Sequence, residues 1–262
     1  LPAVVATFPQ SPRSILRPET YTGELRSFEH KLDILARLGV DYCLELPLDR
    51  DFFRTSPQEF YTLLQQHIAP KQVLVGANHT FGSDAQGTIK ELVTIGETLG
   101  FTVTTPELKY LTDQPLSSSS IKELLMQGDI PQATELLGQS LWITGSVTQG
   151  KQLGRTIGYP TANIQPNFPL FHWPLGVYAV YVHIQGDILK GSLSIGHNPT
   201  TDTDHHIKYE VYIHDFDRDI YGEPIACEIK HFLRPEKTFD SLDILQQAIA
   251  TDVQTTETLL TL

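Results

Sequence analysis

Two short stretches of the chain hold side chains that could do chemistry in concert. In Pro160-Thr161-Ala162-Asn163, an extended backbone would put Thr161 and Asn163 on one face, because strand side chains alternate with period two. A hydroxyl and an amide oxygen side by side are hard, neutral donors. Magnesium accepts such donors when phosphate and water complete its octahedron. The alternative is a pair of polar residues on a solvated strand face. In residues 208–215 (KYEVYIHD), Val211 and Ile213 are expected in the core, which turns Glu210 to the other side with Tyr212 and His214. A carboxylate held there could take a proton from an attacking hydroxyl within hydrogen-bond reach. Its alternative is a charged outer face with satisfied histidines.

Just before Thr161, Gly145-Ser146-Val147-Thr148-Gln149-Gly150-Lys151-Gln152 matches GxxxxGK but has Gln152 where magnesium needs Ser or Thr. Gly154, Gly158 and Pro160 follow and would break the helix that a P-loop lysine opens, so that reading is rejected. What survives is a Gly-rich loop of Gly150, Gly154 and Gly158 carrying Lys151 and Arg155, able to bring N–H groups close to phosphate oxygens. A plain surface hairpin is its alternative. His206, Glu210 and His214 are spaced by four and could suggest zinc, but positions four apart on a strand lie roughly 13 Å apart. Earlier in the chain, Val75-Gly76-Ala77-Asn78-His79-Thr80-Phe81-Gly82 follows a strand-like run. Ser117 to Ser120 stand at a helix start, where free N–H groups and the dipole favour an anion.

These residues need elements to hold them. In the first half, strands are expected at 3–8, 41–46, 72–76 and 101–105. Phe28, Leu32, Leu35 and Leu38 recur at helical spacing until Gly39. Ser56, Pro57 and Glu59 form a capping box with proline at the first helical position. Further helices are expected at 88–98 and from a second box, Ser120 to Glu123, to Met126, with Gly128 as stop. Strands alternating with such helices argue for an open parallel sheet with right-handed crossovers. From 141 to 233 the period becomes that of short strands (142–147, 176–184, 190–195, 208–215 and 225–232), as in a small antiparallel barrel or sandwich. Residues 241–260 return to helical spacing. The boundary is placed near 138–140, giving domains 1–138 and 139–262.

At 262 residues the chain has the length of two domains. A net charge of −12 argues against affinity for phosphate backbones, so neither nucleic acid nor an anionic membrane is expected as partner. A small phosphorylated ligand stays in reach, because backbone N–H groups and a divalent cation can neutralise it locally. Cys43 and Cys227 stand far apart and form no CxxC, which fits a reducing cytoplasm. No apolar run spans a bilayer and no basic-then-apolar leader opens the chain. The chain opens on Leu1 and its one Met is Met126, as expected of a piece that starts inside a longer gene product or after processing. Oligomeric state is left open, with a homo-oligomer allowed.

The strings taken together resemble a known family. Residues 154–164 (GRTIGYPTANI) look like the GRxxG(F/Y)PTANI signature of riboflavin kinases, 175–180 its GVYAV strand, and 194–200 its (N/S)IGxxPT turn. Glu210 through Gly222 resembles its ExxxxDFxxDLYG segment, and Phe232-Leu233-Arg234 with Phe239 its FLRxExxF exit. The first half is similar to the FMN adenylyltransferase module fused to this kinase in prokaryotes. Thr7-Phe8 with Pro12 resembles TFxPxP, 75–82 with Gly87 its VGxNFxFG turn, and 117–122 its SSTxIR. Ser119 replaces the usual Thr, Lys122 the usual Arg, and His79 the usual Phe. The family's GxFDGxHxGH opening, whose histidines bind ATP phosphates, would precede Leu1.

The resemblance implies a Rossmann-like nucleotidyltransferase domain lacking that opening segment. It also implies a six-stranded Greek-key β-barrel kinase domain with a C-terminal helix. Riboflavin would be phosphorylated to FMN, and FMN adenylylated to FAD where the opening segment exists, with ATP as co-substrate. Thr161 and Asn163 would organise Mg²⁺ and ATP, Glu210 would be the base, and the loop with Gly150, Lys151, Gly154, Arg155, Gly158 and Pro160 would cover the phosphates. Asn78, Ser117, Ser118, Ser119, Lys122 and Arg234 are further expected ligand contacts. The rival reading is a non-catalytic flavin- or nucleotide-binding regulatory protein. A zinc hydrolase built on His206, Glu210 and His214 is a third.

Overall fold

The computed structural model describes residues 1–107, 110–111, 114–115, 117–150, 153–197 and 207–261. They form two compact units, Leu1–Tyr21 with Phe28–Leu116, and Thr22–Ser27 with Ser117–Leu262.

The first unit contains strands β1 (Val4–Thr7), β2 (Tyr42–Glu45), β3 (Gln72–Leu74), β4 (Thr102–Thr104), β5 (Tyr110–Leu111) and β6 (Gln114–Pro115). Its helices are α1 (Arg13–Leu16), α2 (Phe28–Arg37), α3 (Pro57–His67) and α4 (Ile89–Leu99). The capping box at α3 forms as the residues require. Ser56 Oγ accepts the Glu59 N–H at 3.3 Å, and the Glu59 carboxylate accepts the Ser56 N–H at 2.9 Å. Thr88 caps α4 with its side chain alone, accepting the Glu91 N–H, and Gly100, in the left-handed region, ends it. Leu92 and Ile95 of α4 pack with Tyr61, Val75, Phe81 and Phe101 in this unit's core.

β1 pairs with β2, and β3 with β4, both parallel, as the strand–helix–strand alternation predicts. The expected single sheet is realised as two separate pairs: among the described residues no strand joins them, and Tyr42 and Leu74 stay exposed.

In the second unit, β7 (Leu141–Thr148), β8 (Thr161–Pro166), β9 (Gly176–Ile184), β10 (Asp187–His197), β11 (Ile207–Ile213) and β12 (Pro224–Pro235) close a barrel. Its order is β10-β11-β8-β7-β12-β9, and every pair is antiparallel. Closure removes the unpaired edges that short strands would otherwise expose. β12 serves two neighbours, and its register shifts near Ile229 and Phe232 mark the bulges that let one long strand bend round the wall. Inward residues such as Val147, Ile164, Val180, Leu193, Val211 and Ile229 fill the core. Helix α8 (Leu242–Leu259), capped by Ser241, packs on β9, β10 and β12.

The unit also contains α5 (Ser118–Met126), α6 (Ile130–Leu137) and α7 (Leu153–Thr156). Three features of this unit lie beyond local sequence pattern. First, α5 starts earlier than the Ser120 box: Ser117, extended, is the N-cap, and it exchanges hydrogen bonds with Ser120. Second, α5 and α6 pack with the barrel, Ile121, Leu125, Ile130 and Ala133 sharing its core, so the compact unit includes residues from 117 onward.

Third, residues 22–27 join the same unit as an added strand-like edge. The Glu24 N–H donates to Pro169 O and the Phe171 N–H to Glu24 O, both at 2.8 Å. Gly23 is required there, since its φ is +78° and a Cβ would run into the Leu170 carbonyl. Among the described residues, no helix is long and apolar enough to cross a membrane.

Candidate functional site

β8 and β11 bring the two chemical stretches together. Glu210 stands opposite Asn163 in the ladder, and Tyr212 opposite Thr161. Opposed residues of an antiparallel pair share a face, with Cβ atoms about 5 Å apart. On β11, Tyr209, Val211 and Ile213 are buried while Glu210 and Tyr212 are half-buried, so the alternation read from the sequence holds residue by residue. The row extends on both sides, to Ser194 of β10 opposite Glu210 and to Thr148 of β7 opposite Asn163. The result is a polar stripe across four strands on the outer face of the wall.

The Gly-rich stretch folds back over this stripe. Its middle is a single helical turn, α7, where the sequence suggested that glycines would prevent a helix. One turn forms before Gly158, at φ +83°, ends it, and the Tyr159 N–H then returns to the Gly154 carbonyl at 2.8 Å. A Cβ on Gly150 would come within 2.7 Å of Asn163 Cγ, and one on Gly154 within 3.5 Å of Thr161 Oγ1. Gly150 thus lets the loop backbone lie against the Asn163 side chain, whereas a Cβ on Gly154 would run into the Tyr159 carbonyl and meet Thr161 only at ordinary contact distance. Arg155 is exposed on α7; Lys151 lies outside the described residues.

Among the described residues, the side chains of Thr161, Asn163 and Glu210 make no hydrogen bond or ion pair with the protein, and all three are half-buried. The donor set fits magnesium: a hydroxyl, an amide oxygen and an opposed carboxylate, all hard oxygens with room for phosphate. It does not fit zinc. His206 lies outside the described residues, and His214 commits both ring nitrogens elsewhere, Nε2 to Ser192 Oγ at 3.0 Å and Nδ1 to Glu257 at 2.7 Å. Among the described residues, no group of three or more His, Cys, Asp or Glu could hold a metal ion.

Arg234 is not part of this cluster. It lies three strands from Glu210 along the register and makes a forked ion pair with Asp252 of α8 at 2.7 and 2.9 Å. Phe239 lies under its guanidinium. Lys122 is also engaged, donating to Thr22 Oγ1 at 2.9 Å and to Gly23 O at 2.7 Å, above the Phe171 ring. Ser118 and Ser119 lie exposed in the first turn of α5.

In the first unit, Asn78 sits exposed on the turn after β3, where the His79 N–H closes back on Gly76 O at 2.9 Å. His79 stacks on Phe81, and burial lowers its pKa. Rings in edge contact run from Phe8, at the end of β1, through Phe52, Phe60 and Tyr61 to Phe81. The C-terminal ends of parallel strands are where open α/β sheets take ligands.

Sequence reasoning did not single out Tyr159 and Tyr212, whose rings meet edge to face at 5.2 Å beside Thr161, nor Ser192 and Glu257, which hold His214. Period two put Tyr212 and His214 on Glu210's face. Nothing local pointed to α8 as their neighbour.

The chain is similar to known proteins along almost its whole length. The riboflavin kinase family matches residues 137–260, and the FAD synthetase family matches residues 1–120. The bifunctional riboflavin kinase/FMN adenylyltransferase of Listeria monocytogenes serovar 1/2a is 32% identical over 98% of this chain and 82% of its own length. That of Haemophilus influenzae is 34% identical over 97% of this chain and 83% of its own. A crystal structure described as a macrolide-efflux protein from Streptococcus pneumoniae has a TM-score of 0.83 and 31% identity, covering 98% of this chain and 84% of that one. With both halves matched in order and relatives aligned almost end to end, the chain belongs to the bifunctional riboflavin kinase/FMN adenylyltransferase family.

Proposed function

We propose that the barrel unit transfers the γ-phosphoryl group of ATP to the 5′-hydroxyl of riboflavin, giving FMN and ADP. The observation that carries the reading is the Glu210–Asn163 pairing, which sets a carboxylate beside two neutral oxygen donors under a glycine loop. Glu210 accepts the proton of the attacking hydroxyl as its oxygen bonds to the γ-phosphorus and the bond to the β-phosphate oxygen breaks. Thr161 and Asn163 are the residues that would hold Mg²⁺, which when bound neutralises charge on the phosphates. Gly150 and Gly154 let backbone N–H groups approach those phosphates, and Arg155 adds positive charge at the rim. Arg234 and Asp252 serve the fold that carries the site.

The half matched to FAD synthetase is assigned to adenylyl transfer from ATP to FMN with release of pyrophosphate, where the family's opening segment exists, and in the first unit Asn78 is its candidate nucleotide contact. Both products are small cofactors, and the two free cysteines agree with a reducing cytoplasm.

The test is riboflavin phosphorylation by purified protein with ATP and Mg²⁺. Glu210→Gln is expected to lower kcat by about 10²-fold or more with riboflavin affinity nearly intact. Activity of the variant within a few-fold of the parent removes Glu210 as the base. Tight flavin binding with no ADP release by the parent would instead establish a binding protein.

A further inference from the structure

We infer that Tyr212 and His214 are positioning residues for the nucleotide, transmitting the anchorage of α8 to the Gly-rich loop. The inference rests on the kinase site proposed above. Its starting point is a buried polar cluster that the phosphoryl-transfer residues do not use. Ser192, His214 and Thr256 are each at least nine-tenths buried. Ser192 Oγ lies 3.0 Å from His214 Nε2 and 3.1 Å from Thr256 Oγ1, while His214 Nδ1 lies 2.7 Å from the Glu257 carboxylate. Lys190 completes the cluster with a 2.6 Å ion pair to the other Glu257 oxygen.

The spacing is that of a nucleophile, base and acid, but Ser192 sits buried in the middle of a barrel strand beneath α8. The geometry instead fixes a ring. With both nitrogens bonded, the His214 imidazole has one orientation, and the cost of turning it is the loss of buried hydrogen bonds.

That ring is in contact with Tyr212, centroids 5.4 Å apart. Tyr212 stands between Ser192 and Thr161 in the ladder, so it occupies the row next to Glu210 and Asn163. Its other side meets Tyr159 edge to face at 5.2 Å and 80°. Tyr159 is the residue whose N–H closes the loop on Gly154. A continuous set of contacts therefore runs from Glu257 through His214, Tyr212 and Tyr159 to the glycine that faces Thr161. α8 holds the same loop a second time, Gln246 Nε2 donating to Ile157 O at 3.2 Å. Edge-to-face pairs carry directional preference beyond their buried area, so losing one ring frees the loop's exit without opening the barrel core.

The experiment is steady-state phosphorylation of riboflavin by the full chain, with riboflavin Kd from flavin fluorescence and Tm measured alongside. Tyr212→Leu is expected to raise KM for MgATP about tenfold while kcat stays within about threefold and riboflavin Kd does not move. Tyr212→Phe should restore KM, because the ring and not the hydroxyl supports Tyr159. Tyr159→Leu, on the loop side of the contact, should raise KM similarly, and the double variant should be no worse than either single one.

An unchanged KM in both leucine variants, additive effects in the double variant, or failure of Tyr212→Phe to recover KM would each overturn the inference. Asn163→Leu separates the two levels of the argument. If it raises KM for MgATP and the tyrosine variants do not, only the positioning role falls. If it too leaves KM unmoved, the nucleotide site itself is elsewhere.

Discussion

Gly150 packs its α-carbon against the side-chain amide of Asn163, so closely that a Cβ would come within 2.7 Å of Asn163 Cγ. The clash is with the end of a side chain rather than with backbone, so the fold can absorb it by turning Asn163 away. Gly150→Ala is therefore expected to leave Tm within about 2 °C and to raise KM for MgATP about tenfold or more. Kinetics and a thermal melt on the same preparation check this. A large fall in Tm with unchanged KM would mean that the glycine serves the fold instead.

Arg234 and Asp252 tie the last barrel strand to α8 through a forked, mostly buried ion pair. Removing one partner leaves the other charge buried and unpaired, a loss of about 3–5 kcal/mol for well-buried pairs. Asp252→Ala should cost about that much in urea-induced unfolding of the second unit. Arg234→Met combined with Asp252→Leu should recover most of it, because neither charge then remains.

Glu257 has its pKa lowered, first by its hydrogen bond to His214, then by the bond to Lys190, with their charges adding to the effect. A depressed carboxylate stabilises the fold fully above its ordinary value of 4.5, and the contribution drains away as pH falls through the folded-state value. Tm of the parent should thus exceed that of Glu257→Gln near neutrality, and the gap should close on acidification below pH 4.5. A gap that does not narrow at all on acidification would assign the effect of the substitution to packing.

Cys227 is buried in the barrel core, and burial pushes its thiol well above the usual range, whereas Cys43 is exposed. Only the thiolate reacts, so a colorimetric thiol reagent should titrate one of the chain's two cysteines in the native protein and both in denaturant. Rapid reaction of both without denaturant would mean that the barrel opens readily.

Much of the scaffold was legible locally. The strand pattern at 176–184 matches the observed bounds of β9, the Ser56 cap forms as expected, and α8 follows its helical period from a Ser241 cap. Local pattern is ambiguous where several local solutions compete. Four serines in a row offer more than one N-cap, and the backbone chose Ser117 over Ser120. Glycines at 154 and 158 read as helix breakers, yet one turn fits before Gly158 because a single turn needs no helical continuation. The core that α5 and α6 enter is not legible locally, because their apolar faces look the same in sequence whichever core they join.

Residue type and period two established that Thr161 and Asn163 share a face and that Glu210 lies opposite the core on its own strand. Both follow from chain geometry within a few residues. That Glu210 meets Asn163, that Gly150 closes over it, and that α8 reaches back through His214 to Tyr212 depended on barrel closure and strand register. Register is a long-range property: sliding one strand by a single residue reverses every face, and the packing of all six strands selects the pairing.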